Sequence, residues 1–304
     1  MRRLTLLLLI LGALALSGAA YATEYHVGAG QPYANMTALL NAVTLVSNDI
    51  VWVHPGTYPL FWVKTGGGSS EATAVQIRAY DMNNKPVFDA AGGTNCIDFE
   101  DPTTAKVLVG KYFLIDGLEV KNASSRGVFY VATNLIMRHC YVHNNYNGMM
   151  GGNHNCRTAA LGFSPSEEGN LIAEYNEFTQ NGSGSMYHQI YAQSAYTQFR
   201  YNWVHDETGG SGWKDRSTNS LLEYDWIEQG PSGNYTLEIG GPDDNAMPDT
   251  PETITLTGCV VTKNAGNNVW LFIENTRSLQ GVRRGQNLGY MYLYELAPKK
   301  WTPC

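Results

Sequence analysis

Six seven-residue windows of this chain follow one pattern, and that repetition constrains the fold more than any other feature. They are Leu114–Val120, Ile136–Val142, Ile172–Phe178, Gln198–Val204, Leu221–Ile227 and Thr255–Val261. Their fifth positions read Leu118, Cys140, Asn176, Asn202, Asp225 and Cys259, at spacings of 22, 36, 26, 23 and 34 residues. A unit of about two dozen residues, stretched only where loops enter, is the mark of stacked repeats. One such unit has no core of its own. A stack of them buries a continuous one.

Each window alternates apolar and polar residues, the period of a half-buried strand. Clusters rich in Gly and Asn follow, among them Asn144–Gly148, Gln180–Gly184 and Glu207–Gly212, and these residues tolerate the left-handed backbone that tight corners need. A second short strand comes next, such as Gly127–Val131, Gln189–Ala192 or Asn234–Ile239. Strand, corner, strand, corner, with helical periodicity nearly absent after residue 50, excludes helical solenoids and βαβ crossovers. The recurring fifth position is expected to point inward at a corner. There Asn176 and Asn202 stack amide on amide, while Cys140 and Cys259 fill the same column as small buried groups.

These windows resemble the right-handed parallel β-helix of the pectate-lyase-like superfamily, over roughly residues 24–294. The resemblance extends to Tyr25–Gly28, an amphipathic segment from Met36 to Val46, and Asp49–Tyr58. It implies an all-β solenoid with a short N-terminal helix capping the open end of the stack. Such scaffolds carry lyases, hydrolases, esterases and plain binding surfaces, so function has to be argued from the site.

The ends and the composition add bounds. Met1-Arg-Arg, the apolar run Leu4–Leu16 and Ala20-Tyr-Ala22 read as a signal peptide of bacterial form. A secreted or periplasmic protein is expected, with residues 1–22 removed and 23–304 forming one domain. The apolar run is too short for a membrane span, and no other span is expected. Loss of the peptide removes two arginines and no acid, taking the net charge from −7 to −9. With only 15% charged residues, such a chain has no electrostatic reason to seek nucleic acid or anionic lipid. Nineteen Tyr and seven Trp suit sugar rings or the corners of a narrow core equally well. Five cysteines, an odd number, imply no disulfide framework. The tail Glu295–Cys304 abandons the repeat, which suggests a chain shorter than its relatives. A monomer is expected.

Chemistry on a β-helix belongs on an outer face between long loops, here Tyr146–Asn170 and Gly240–Glu252. Between them, alignment of successive coils sets Tyr191 beside Lys214 and Gln193 beside Arg216, with Glu238 outward on the next strand. His188 lies near this ridge, and Trp213 is included as a substrate contact. A polysaccharide lyase must neutralise a uronate carboxylate, remove the adjacent proton and protonate the leaving oxygen. Lys214 is the candidate base, Arg216 the carboxylate clamp, and Tyr191 or His188 the acid, with Glu238, Gln193 and Trp213 binding substrate. No cofactor is required by the sequence, and Ca²⁺ is an option for charge neutralisation. The same residues also read as a solvated salt-bridge ladder. Gly212–Ser217 after His188–Tyr191 resembles a segment of bacterial secreted β-helix proteins, whereas the Arg-x-Pro-x-x-Arg run of the main pectate lyases is missing.

Two other readings are weaker. Gly241-Pro-Asp-Asp-Asn245 resembles the paired aspartates of polygalacturonases, without their accompanying motifs. His139, His143 and His154 beside Cys156 are metal-capable, but no further pair completes a zinc set. The expected function is β-elimination on an acidic polysaccharide. The rival is a non-catalytic β-helix that binds glycan or serves as an adhesive rod.

Overall fold

A computed structural model of the chain describes residues 22–99, 111–131, 133–152, 169–217, 219–239, 253–262 and 271–273. Residues 1–21 of the signal-peptide segment, the Gly241–Asn245 motif, His154, Cys156, Cys304 and the aberrant tail lie outside them. Within them the architecture is a right-handed parallel β-helix with three sheets, every named strand pair parallel. The chain visits the sheets in turn, so three strands make one coil.

The first sheet stacks Glu24–Val27, Ile50–Val53, Val75–Ala79, Tyr112–Asp116, Asn134–Arg138, Asn170–Glu174, Tyr196–Arg200, Asn219–Glu223 and Thr253–Thr257. The second is made of very short strands: Thr57–Tyr58, Val87–Asp89, Glu119–Lys121, Tyr141–His143, Glu177–Thr179, Trp203–His205, Trp226–Glu228 and Val260–Thr262. The third contains Phe61–Trp62, Asn95–Phe99, Arg126–Tyr130, Asn147–Gly152, Ile190–Gln193, Ser211–Asp215, Tyr235–Ile239 and Leu271–Ile273. The one α-helix among the described residues, α1 (Met36–Ala42), is capped by Asn35, whose side chain accepts the Ala38 N–H. Its Met36 and Leu39 join the core at the N-terminal end of the stack.

Each repeated window, expected as one strand, is two strands joined by a sharp bend. Its fourth residue takes a left-handed conformation in every copy: Gly117, His139, Tyr175, Tyr201, Tyr224 and Gly258, with φ between 49° and 77°. That residue turns the chain from the first sheet into the second, and the fifth residue then points inward as expected. The bend leaves the fifth residue's N–H without a strand partner, and the next coil supplies one. Cys140 N–H donates to Asn176 Oδ1 (2.9 Å), Asn176 N–H to Asn202 Oδ1 (2.9 Å), and Asn202 N–H to Asp225 Oδ1 (2.8 Å). Each amide also donates down the stack, Asn176 Nδ2 to Met137 C=O and Asn202 Nδ2 to Ala173 C=O, both at 3.0 Å. Cys140 is buried, and burial pushes its thiol up to about 12, as befits an inert core group.

The corner from the second sheet to the third repeats this construction. Left-handed Asn122, Asn144, Gln180 and Asp206 precede Ala123, Asn145, Asn181 and Glu207. Ala123 N–H donates to Asn145 Oδ1 (2.9 Å) and Asn145 N–H to Asn181 Oδ1 (3.0 Å). At the third step a side chain within the same coil intervenes, and Asn181 N–H donates to Gln189 Oε1 (3.2 Å). Between the corners one apolar core runs the length of the stack, with Phe61 on Phe88, Phe99 on Phe113, and Phe178 on Phe199 on Trp213.

Two predictions follow from these ladders. Asn176→Ala orphans the Cys140 N–H, at about 1–3 kcal/mol for a buried group left unpaired. Urea unfolding should show that loss with the slope unchanged, and a loss under 0.5 kcal/mol, roughly the surface-mutation scale, would mean the ladder is dispensable. The second concerns Asp225, which stands where the ladder calls for Asn. Burial raises its carboxyl from 3.8 to about 8, against the lowering effect of the Asn202 hydrogen bonds. The folded chain therefore keeps a proton that the unfolded chain releases. Stability from this group is full below pH 3.8 and declines as pH rises to about 8. Asp225→Asn should raise the thermal midpoint at pH 8 by at least about 3 °C and flatten its dependence across that window. A midpoint that stays put would place the charge in a solvated site.

Candidate functional site

The third sheet brings the predicted ridge together. Tyr191 pairs with Lys214 and Lys214 with Glu238 across three successive strands. Arg216 N–H donates to Ala192 C=O (2.9 Å), which carries the register on to set Arg216 against Gln193. By alternation these side chains leave the core side of the sheet, and Trp213, Asp215, Leu237 and Ile239 take it.

Trp213 corrects the sequence reading. It is a core residue with 0% exposure, its ring 4.4 Å from that of Phe199, and its indole N–H donates to Asp215 Oδ2 (3.1 Å). It contacts no surface where substrate would lie. Asp215 is likewise turned inward, where it accepts the Ser217 N–H at 2.7 Å. Burial raises its carboxyl from 3.8 to about 6, opposed by these hydrogen bonds.

The remaining six candidates form one charged, nearly dry cluster. Exposure is 1% for Arg216, 2% for His188, 4% for Gln193, 6% for Glu238, 7% for Tyr191 and 8% for Lys214. Lys214 Nζ lies 2.8 Å from Glu238 Oε1. Glu238 Oε2 accepts the Ser211 hydroxyl and stands 3.9 Å from His188 Nδ1. His188 is fixed from two sides: its backbone N–H donates to Asn147 Oδ1 (2.8 Å), and its ring Nδ1 accepts the Ser211 backbone N–H (2.9 Å). That last bond assigns the ring proton of neutral His188 to Nε2. The Tyr191 ring sits near both cations, 5.1 Å from Lys214 Nζ and 5.8 Å from Arg216 Cζ. The His188 ring meets it edge-on at 5.5 Å.

A solvated salt-bridge ladder does exist, on a different sheet. Along the outside of the first sheet Arg78, Asp116, Arg138, Glu174, Arg200 and Glu223 alternate in sign, one per coil. Arg78 pairs with Asp116 at 3.0 Å and Arg138 with Glu174 at 2.8 Å, with each arginine more than a third exposed or close to it. Asp116 and Glu174 are themselves buried, so the Lys214–Glu238 pair differs in the burial of its cation, whose side chain is 10% exposed.

Of His139, His143 and His154, the two among the described residues make separate contacts. His139 sits on a corner with Nδ1 2.8 Å from Asp116, and His143 lies on the second sheet 3.2 Å from Glu119. Among the described residues no group of three or more His, Cys, Asp or Glu side chains is arranged to hold a metal. Neither a protein-family model nor a curated protein matches the chain.

Burial of the Lys214–Glu238 pair makes it sensitive to losing one partner. Glu238→Gln leaves the ammonium opposite a neutral amide and should cost about 3–5 kcal/mol, whereas the double change Lys214→Met with Glu238→Leu should cost distinctly less. Equilibrium unfolding of the three proteins decides this. Equal small losses would return the pair to the class of surface ladders.

Proposed function

We propose that this chain is an exported carbohydrate-active protein that cleaves an acidic polysaccharide by β-elimination at the Lys214 cluster. The observation that carries the proposal is the convergence of two cations, a phenol, an imidazole and a carboxylate on or just beside three adjacent strands, all nearly dry. Desolvated, mutually paired ionisable groups on one sheet face are a common signature of active sites. A low-dielectric setting also strengthens every charge that acts on a developing enolate.

The geometry redistributes the roles expected from sequence. Lys214 is ion-paired with Glu238, so it enters the reaction as a cation. With Arg216 it serves the uronate carboxylate, whose negative charge grows as the adjacent C–H bond gives up its proton. Proton removal and protonation of the leaving oxygen then fall to the phenol of Tyr191 and the imidazole of His188. Glu238 holds Lys214 in place and, through Ser211, holds His188. Gln193, beside Arg216, is the polar contact for substrate hydroxyls. Calcium is left as a variable of the assay.

Incubation of the mature protein with pectate, alginate and glycosaminoglycans, with and without Ca²⁺, should produce the ultraviolet absorbance of an unsaturated uronate. Tyr191→Phe keeps the ring and deletes the hydroxyl, and should lower turnover about 10²–10⁴-fold with the fold intact. Lys214→Ala should lower it as well. Absence of product on every polymer, from protein shown to be folded, would favour the second reading, a glycan-binding or structural β-helix. Burial of the whole ridge is the observation on that side.

A further inference from the structure

The outer face of the second sheet has a design of its own, unrelated to the Lys214 cluster. In register along the stack, one position per coil reads Glu119, Tyr141, Glu177, Trp203, Trp226. Acid and aromatic alternate over the first four coils, and a second indole follows. Trp203 and Trp226 are 37% and 39% exposed, unusual for indoles, and their rings are 6.4 Å apart.

These rings are held rather than loose. Trp203 stacks on His205 at 3.8 Å with planes 20° apart, and Tyr141 stacks on His143 at 4.3 Å and 23°. His205 is pinned in turn by Asp206 (2.8 Å) and Glu177 (3.3 Å), and His143 by Glu119 (3.2 Å). The unit of a carboxylate, an aromatic in the next coil and a histidine two residues on thus occurs twice, as Glu119/Tyr141/His143 and Glu177/Trp203/His205. The two copies are two strand spacings apart, about 10 Å, the length of an extended pair of sugar residues.

Around the corner the surface continues in aromatics. His139, Tyr175, Tyr201 and Tyr224 stack in one column, centroids 5.1–5.4 Å apart and planes within 9°. Tyr175 and Tyr224 are each 51% exposed. Their faces are spent on one another, so what they offer outward is a row of ring edges and hydroxyls at strand spacing. Charge on the adjoining sheet face is mostly negative: Asp89, Glu119, Glu177 and Glu228 on its outward positions and Asp206 beside them, against Lys121.

We propose that this face binds an uncharged polysaccharide laid along the solenoid axis, as a second glycan site independent of the Lys214 cluster. The ring faces of Trp203 and Tyr141 turned away from His205 and His143, together with the Trp226 ring, meet the C–H faces of successive sugars, and the intervening carboxylates and tyrosine edges take their hydroxyls. The negative charge disfavours polyuronates and sulfated chains. The preset rings reduce the ordering cost of binding.

The test is a binding assay on cellulose, chitin, β-mannan and xylan, with polygalacturonate as the charged control, backed by tryptophan fluorescence during titration with soluble oligosaccharides. Wild type should be retained by at least one uncharged polymer, and Trp203→Ala/Trp226→Ala should bind it about tenfold or more weaker, the scale of lost anchoring aromatics. Trp62→Ala, which removes an exposed indole of the third sheet, should bind as wild type. Both indoles are exposed, so the double variant should keep its thermal midpoint; if it does not, Trp203→Gln alone supplies the comparison. Retention by no uncharged polymer, or equal retention of the variants, would overturn the proposal. So would self-association in sedimentation that the Trp variants abolish without any glycan effect, which would make the face a contact between two copies.

Discussion

Everything in this solenoid depends on how its corners dispose of one backbone N–H per bend. Between parallel strands the ladders satisfy the backbone, but a bend made by a left-handed residue turns the following N–H away from its strand neighbours. Left buried and unpaired, that group would cost about 1–3 kcal/mol in every coil. Asn is the right length to return an oxygen from the next coil, and its amide NH₂ can donate to a carbonyl in the coil before. The ladder Cys140–Asn176–Asn202–Asp225 is therefore a covalently spaced extension of the hydrogen-bonded sheet. It also sets the register of the sheets on either side, and with it the register that brings Tyr191, Lys214 and Glu238 into line.

The left-handed residue itself carries a conformational cost of roughly 1–2 kcal/mol when it is not glycine. In four consecutive coils it is His139, Tyr175, Tyr201 or Tyr224, and in the flanking coils it is Gly117 or Gly258. The aromatic members stack, each pair gaining about 0.5–1.5 kcal/mol beyond burial, which offsets the strain where a neighbour exists above or below. A Cβ at Gly258 would come 2.6 Å from the Tyr224 ring, so the column stops at a residue without one. Strain and stacking are thus coupled along the stack, and the exposed aromatic column is a by-product of the corner chemistry before it is anything else.

Much of this was legible in the residues. The inward column, the stacked Asn176 and Asn202, the buried Cys140 and the alignment of Tyr191, Lys214 and Glu238 all follow from counting a period of two against the repeat. Three strands per coil were harder to see, because the second sheet's strands are two or three residues long and the window runs through the bend without a turn residue in most copies. Tyrosine does not announce a left-handed corner as glycine or asparagine does. Trp213 was readable as core, since it shares a register position with Leu237 and the alternation that turns one inward turns both. Dryness of the Lys214 cluster was not readable at all. Charge and spacing say which side chains meet on a face, whereas exposure depends on what the rest of the chain brings over them.

A stacked fold also separates its faces in a way that a globular one does not. Each coil contacts only its neighbours, and the apolar core enclosed by the three sheets separates the outer face of the second from that of the third. The third sheet carries two cations in its dry cluster; the second carries exposed indoles among carboxylates. Two surfaces of such different character on one rigid rod impose different demands on a polymer. A long uronate chain that suits the first is repelled by the second, and an uncharged chain that lies along the second has nothing to neutralise the cations of the first. If both surfaces take glycan, they take different ones, and the rod holds the two polymers at a fixed separation set by the width of its own core.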